Sequence, residues 1–289
     1  VLSAAGILLY IKIDLLHICR IRVNLRPTFY LCTMKLAFRT FGEGQPLLIL
    51  HGLFGQSDNW NTLAKRFGEQ GFAAYAIDQR NHGLSPHSEE WSYDAMADDL
   101  LELIQTENLQ KPIVLGHSMG GKTAMFFALN HPGVADKLIV ADMSPNAYAG
   151  HHNEVIKALH SVNFDVVKSR KEAEAVLSEY ISDFGTKQFL LKNIYWKDGG
   201  SERMDWRFNL KTITEKYDGI LVEAPHKQSD IKTLFVRGEK SNYIENSDLQ
   251  AISSRFPNYE LVTIPNAGHW IHAEQPDAFF EAVMKFLRA

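Results

Sequence analysis

Five residues, Gly116-His117-Ser118-Met119-Gly120, are all that separate the apolar run at 113–115 from a helix-forming stretch at 121–129. So short and continuous an apolar run reads as a strand buried on both faces, the pattern of a parallel sheet covered by helices. A strand that turns into a helix within so few residues strains the backbone at the bend. Small neighbours are needed there, and glycine stands on both sides. A chain with this junction is confined to architectures in which strands and helices alternate.

The alternation is visible along the chain. Residues 35–41 alternate as a strand, followed by the turn Gly42-Glu43-Gly44, and residues 46–50 form a second continuous apolar run. Residues 61–70 read as a helix stopped by Gly71, residues 72–77 as a strand, and residues 93–104 as a helix with Met96, Leu100, Leu103 and Ile104 on one face. A strand at 137–141 follows. From about Pro145 to about His226 strand-like runs vanish, and helical stretches such as 172–180 and 187–195 dominate. The rhythm resumes with a strand at 231–236, a helix near 248–255, a strand at 260–264 and a final helix at 277–287. The pattern predicts an α/β fold with a mostly parallel central sheet and helices on both faces. Its core takes residues 34–145 and 227–289, with a helical insertion over 146–226.

Composition narrows the classes of partner. Thirty Lys and Arg against thirty-four Asp and Glu give a net charge of −4, too near balance to suggest a polyanion partner, so nucleic acid is not expected as a partner. Cys19 and Cys32 are the only cysteines, so neither a disulfide framework nor a thiolate metal site can hold the body together. Residues 1–33 read differently from the rest: an apolar start is interrupted by Lys12, Asp14, His17, Arg20 and Arg22, which argues against a membrane span. The preferred reading is translated upstream sequence, with the functional chain starting at Met34. A targeting or membrane-associating extension and an ordered extra element are the alternatives.

The bend at Ser118 has a chemical reading. Its hydroxyl would project from the end of the strand, at a helix start that aims amides and a positive dipole end at the same spot. A serine hydroxyl needs a base, and His269 in Asn266-Ala267-Gly268-His269-Trp270 follows the strand at 260–264 directly. His272 is the local competitor but begins the last helical region. The orienting acid is Asp142, at the end of the strand at 137–141, with Glu239 as the alternative. His51-Gly52-Leu53-Phe54-Gly55 leaves another buried strand at the same sheet edge. The amides of Leu53, or else Phe54, and of Met119 are the expected oxyanion donors. In Asp78-Gln79-Arg80-Asn81-His82-Gly83-Leu84-Ser85, Asp78 and Arg80 are expected to brace the oxyanion loop. Phe54, Trp60, Met119, Met143, Tyr148, Phe184 and Trp270 are candidate pocket walls. Lys187, Lys192, Arg203 and Arg207 are the cations available to a phosphate-bearing substrate, diluted by Glu172, Glu174 and Glu179.

On these residues the chain from Met34 to Ala289 resembles the α/β-hydrolase superfamily. Within it, the motifs at 51–55, 78–86 and 116–122, together with Trp206-Arg207-Phe208-Asn209-Leu210 and Gly268-His269-Trp270, are similar to YbfF-type bacterial esterases. The resemblance implies a serine carboxylesterase acting on carboxylic esters, and by extension on acyl-CoA thioesters, through a Ser118-His269-Asp142 triad. It also implies a helical cap inserted between the sixth and seventh core strands. Some relatives carry an aspartate just after the Trp-Arg-x-Asn-Leu run; Lys211 stands there in this chain, which counts against a triad acid in the cap. The expected partner is a small-molecule ester or thioester, with no metal or organic cofactor, no membrane span and a cytoplasmic location. Competing readings are carbon–carbon hydrolysis, perhydrolysis or acyl transfer on the same triad, or a non-catalytic ligand-binding protein of this fold.

Overall fold

The computed structural model describes residues 34–150, 152–197 and 203–289. The readings placed on residues 1–33 lie outside the described residues. Seven strands form the main sheet: β1 (Phe38–Phe41), β2 (Gln45–Leu50), β3 (Phe72–Ile77), β4 (Ile113–His117), β5 (Lys137–Ala141), β8 (Lys232–Gly238) and β9 (Tyr259–Ile264), in the order β1-β3-β2-β4-β5-β8-β9. β1 runs antiparallel to β3, and every other pairing is parallel. Strand order reverses direction around β2 and β4, the place where crevices open at the carboxyl ends of strands.

Each strand feeds two cores, because successive side chains point to opposite faces. Leu47 and Ile49 of β2 join Leu115 and Ile139 in a cluster with Leu63 and Phe67 of α1 (Asn61–Gly68) and with Phe279 and Val283 of α10 (Pro276–Arg288). Leu48 and Leu50 join Val114 and Val140 in a second cluster with Leu100 of α2 (Tyr93–Thr106) and Phe127 of α3 (Met119–Asn130). This double burial is why the inner strands read as unbroken apolar runs. Helix starts are fixed locally: Ser92 caps α2 by accepting the Ala95 amide at 3.2 Å, and Pro276 opens α10.

Between β5 and β8 the chain carries α4 (Asn153–Ser161), α5 (Arg170–Ser178), α6 (Phe184–Leu191), a ribbon of β6 (Ile194–Trp196) against β7 (Met204–Trp206), and α7 (Leu210–Glu215). Two expectations change here. The insertion falls between the fifth and sixth strands of the sheet, since only five precede it among the described residues. It also contains an antiparallel ribbon where residues 187–195 read as one helix. Three-residue strands are too short to show alternation, and Asp183 starts α6 earlier by accepting the Thr186 amide at 2.6 Å. The segment and the sheet belong to one compact unit.

Candidate active site

Ser118 sits between β4 and α3 with φ 53° and ψ −119°. Such a backbone costs roughly 1–3 kcal/mol for a residue with a side chain and persists only where the surroundings enforce it. Here they do. The Ser118 amide donates to the Ala141 carbonyl at 3.0 Å, and its carbonyl accepts from the Lys122 amide at 3.0 Å. A Cβ on Gly116 would lie 2.1 Å from the Gly120 carbonyl oxygen, and one on Gly120 would lie 2.4 Å from the Leu50 carbonyl oxygen. The tightness of the bend therefore excludes side chains at both glycines.

Asp142 follows β5 directly and is fully buried, also in the left-handed region with φ 51°. Its amide donates to the Val236 carbonyl at 2.8 Å, continuing the β5–β8 ladder and placing the carboxylate at the carboxyl edge beside Ser118. Asp142 Oδ2 lies 2.7 Å from His269 Nδ1. Oδ1 accepts the Gly238 amide at 3.1 Å, and the Ser241 hydroxyl donates to Oδ2. Burial pushes the carboxyl up to about 7, while the Ser241 and Gly238 donors pull it back by hydrogen-bonding its charged form. Ionised, the carboxylate only accepts, so Nδ1 of His269 carries the hydrogen and Nε2 keeps its lone pair.

The loop that carries His269 is tied at several points. Glu274 accepts the Gly268 amide at 2.7 Å and the Trp270 amide at 3.1 Å, and the His117 ring donates from Nε2 to the His269 carbonyl at 2.8 Å. Tyr243 stacks on the His269 ring. Glu239, the alternative acid, is exposed and accepts the Asn266 amide at 2.8 Å, so it serves the loop's backbone. His272 lies in α9 (Ile271–Glu274), buried and stacked on Trp60 at 4.2 Å.

The loop after β2 is held by two more histidines. His51 accepts the Gln79 amide at Nε2 (3.0 Å), so its Nδ1 donates to the Gly52 carbonyl at 2.8 Å. His82 accepts the Phe54 amide at Nε2 (3.3 Å), with Nδ1 donating to the Arg80 carbonyl at 3.0 Å. Burial drives His51 down to about 4, and His82 and His117 down to about 3, so all three are neutral scaffolding near pH 7. The Phe54 amide is thereby engaged, whereas the Leu53 amide donates to no described residue. Met119 is the first residue of α3, where an amide has no acceptor within the helix. Of the expected bracing pair, Asp78 accepts the Ser57 amide at 2.5 Å, next to the loop. Arg80 turns away: its guanidinium binds both carboxylate oxygens of Asp99 at 2.6 Å, within α2.

Ser118 and His269 line one cavity of about 40 Å³ together with Leu53, Trp60 and Trp270. It adjoins a groove of about 800 Å³ that shares Asn59, Phe189, Trp270 and His272 with it. Ser118 also lines a second, smaller cavity with Met119, Met143 and Tyr148. Two expected walls are elsewhere. Phe184 is 67% exposed at the start of α6, and the Phe54 ring is buried against Phe208 at 5.1 Å. In Phe54's case the left-handed φ of 58° turns the side chain into the insertion's core. Missed from sequence were Ser241, Tyr243, His152, Phe189 and Tyr217.

The chain resembles sn-1-specific diacylglycerol lipase ABHD11 of Mus musculus at 39% identity over 249 residues, 83% of this chain and 80% of that protein. It resembles esterase YbfF of Escherichia coli at 33% over 246 residues, 85% of this chain and 94% of that one. Among solved structures, a marine microorganism esterase superposes with a TM-score of 0.85 at 43% identity, covering 88% of this chain and 99% of that one. The family model of the alpha/beta hydrolase fold matches residues 45–276. With that match, the sheet order and the strained serine bend in hand, the chain belongs to the α/β-hydrolase family.

Proposed function

We propose that this protein is a serine carboxylesterase that works through an acyl-enzyme. The observation that carries the reading is the Asp142–His269 hydrogen bond of 2.7 Å beside a cavity that His269 shares with the strained Ser118. In the first step Ser118 Oγ attacks the ester carbonyl carbon and its proton passes to His269 Nε2. The amides of Leu53 and Met119 receive the charge that develops on the carbonyl oxygen. The C–O bond to the alcohol then breaks, and His269 returns the proton to the departing oxygen. Water, deprotonated by His269, attacks the acyl-enzyme, and the acid leaves as Ser118 regains its hydrogen. Asp142 holds the imidazole in the required tautomer throughout.

The insertion acts as the cap, since His152, Phe189, Tyr217 and Leu221 from it line the cavities that Ser118 lines. Small-molecule esters fit this arrangement better than acyl-CoA thioesters. Of the four cations available to a phosphate, only Lys192 lines the wide groove, alongside Asp58, Asp183 and Glu274. Lys187 binds the Ser178 hydroxyl, Arg203 lies 3.7 Å from Asp165, and Arg207 sits 4.7 Å from the centre of the Tyr195 ring. No helix among the described residues is long and apolar enough to cross a membrane.

The test is hydrolysis of p-nitrophenyl acetate by the purified chain and by Ser118→Ala and His269→Ala. The reading expects turnover in the parent and loss of at least about 10³-fold in both variants. Full turnover in Ser118→Ala would remove the nucleophile.

A further inference from the structure

Two cavities meet at Ser118, and the chemistry distinguishes them. The leaving alcohol takes its proton from His269, so it departs on the side that His269 lines, which adjoins the groove of about 800 Å³. The other cavity is lined by Ser118 and by both residues whose amides face the oxyanion, Leu53 and Met119, and His269 is not among its walls. With the carbonyl oxygen toward those amides and the alcohol toward His269, the remaining substituent of the carbonyl carbon, the acyl chain, enters this second cavity.

That cavity measures about 30 Å³. The centres of water-sized spheres are confined to that volume, against about 800 Å³ in the groove, so it is much the narrower of the two spaces. Its walls include Tyr93, Met143, Tyr217, Ile220 and Leu221. They are braced. The Tyr93 hydroxyl donates to the Ile220 carbonyl at 3.0 Å, tying α2 to the 217–221 segment, and Tyr217 Oη lies 2.7 Å from His152 Nδ1. The Tyr148 hydroxyl accepts the Ser144 amide at 2.7 Å and donates to the Tyr243 carbonyl. With these hydroxyls engaged by protein groups, the lobe offers aromatic faces and aliphatic carbon to its occupant.

We propose that this lobe is the acyl site and that Ile220 sets its length, making the protein selective for esters of short acids, with about two to four carbons. The proposal rests on the acyl-enzyme reading above and names its substrate class. Methylene-scale misfits in a hydrophobic pocket are worth about 10- to 200-fold in kcat/KM.

The experiment compares p-nitrophenyl acetate, butanoate, hexanoate and octanoate, which share one leaving group, on the full chain. The expected result is a maximum at acetate or butanoate and a fall of about 30-fold or more by octanoate. Ile220→Ala, which keeps the backbone carbonyl that Tyr93 binds, should raise the octanoate-to-acetate ratio about 10-fold. Leu221→Ala serves the same purpose should Ile220→Ala not yield folded protein. Equal or rising kcat/KM through octanoate overturns the proposal, as does an unchanged ratio in the folded wall variant. Those results leave the acyl-enzyme reading standing. Absence of turnover on every ester, or full turnover in Ser118→Ala, would instead defeat that reading.

Discussion

Tyr243 lies flat on His269, ring centroids 3.7 Å apart and planes 15° from parallel. In the proposed cycle the imidazole becomes a cation while it holds the serine proton, and an aromatic face favours that charge by about 0.5–2 kcal/mol. Tyr243 belongs to the turn after β8 that also presents Ser241, so one short loop contacts both His269 and Asp142. Tyr243→Leu is expected to lower kcat on p-nitrophenyl acetate by about 3- to 30-fold, while Tyr243→Phe stays within about 2-fold of the parent. Steady-state kinetics of both variants check this; equal losses in the two would show that the ring face is not what matters.

Asp142 and Glu239 separate cleanly by variant. Asp142→Asn keeps the shape but lets an amide NH₂ face Nδ1, which favours the wrong imidazole tautomer. A loss of about 10³- to 10⁴-fold in kcat is expected. Glu239→Gln retains an acceptor for the Asn266 amide and should stay within about 3-fold. The reverse ranking would transfer the acid role to Glu239.

Ser241 stands at the sheet edge next to Asp142 and donates to its Oδ2. Burial raises the Asp142 carboxyl to about 7, and the hydroxyl opposes that rise. Removing the donor in Ser241→Ala raises the carboxyl further, so a smaller fraction is ionised at neutral pH. The acid limb of the kcat profile should therefore move to higher pH, with the deficit shrinking as pH rises from 6 to 9. A deficit that is constant across that range would contradict this role.

How much of this was readable beforehand follows from the kind of signal each residue leaves. The inner strands were legible because burial on both faces writes an unbroken apolar run, as in β2 and β5. The bend at Ser118 was legible because two glycines are forced by backbone crowding. Asp142 was legible as a candidate only, since a carboxylate at a strand end leaves the same letters whether it caps a turn or orients a histidine. Tyr243 left no signal: stacking across loops depends on where β8 and β9 end in space. Arg80 misled for a related reason, because its position in the motif says nothing of Asp99, which reaches it from a helix. The Phe54 and Phe184 side chains were likewise misplaced, their directions being set by a left-handed φ and by an exposed helix start.

Acid should destabilise the fold through its scaffolding histidines. His51, His82 and His117 are held far below their ordinary 6.5, so below that pH the unfolded chain binds protons that the folded chain does not. Stability is complete above 6.5 and lost as pH falls, by about 2 kcal/mol per histidine at pH 5. Asp142 works the other way, since its raised carboxyl favours the folded state in acid and that contribution is lost as pH rises through about 7. His272, lowered by the same burial, sides with the three histidines, and Asp99, raised by burial, sides with Asp142; a net fall in Tm of roughly 10 °C from pH 7 to pH 5 is expected, read by circular dichroism. An unchanged or higher Tm at pH 5 would contradict the neutral assignment.

The central claim is that a single strained serine carries the acyl group. Incubating the protein with a fluorophosphonate and mapping the adduct by peptide mass spectrometry tests it most directly. The account predicts one adduct, on Ser118, formed more slowly in His269→Ala and absent in Ser118→Ala; an adduct elsewhere, or labelling that survives Ser118→Ala undiminished, would contradict it.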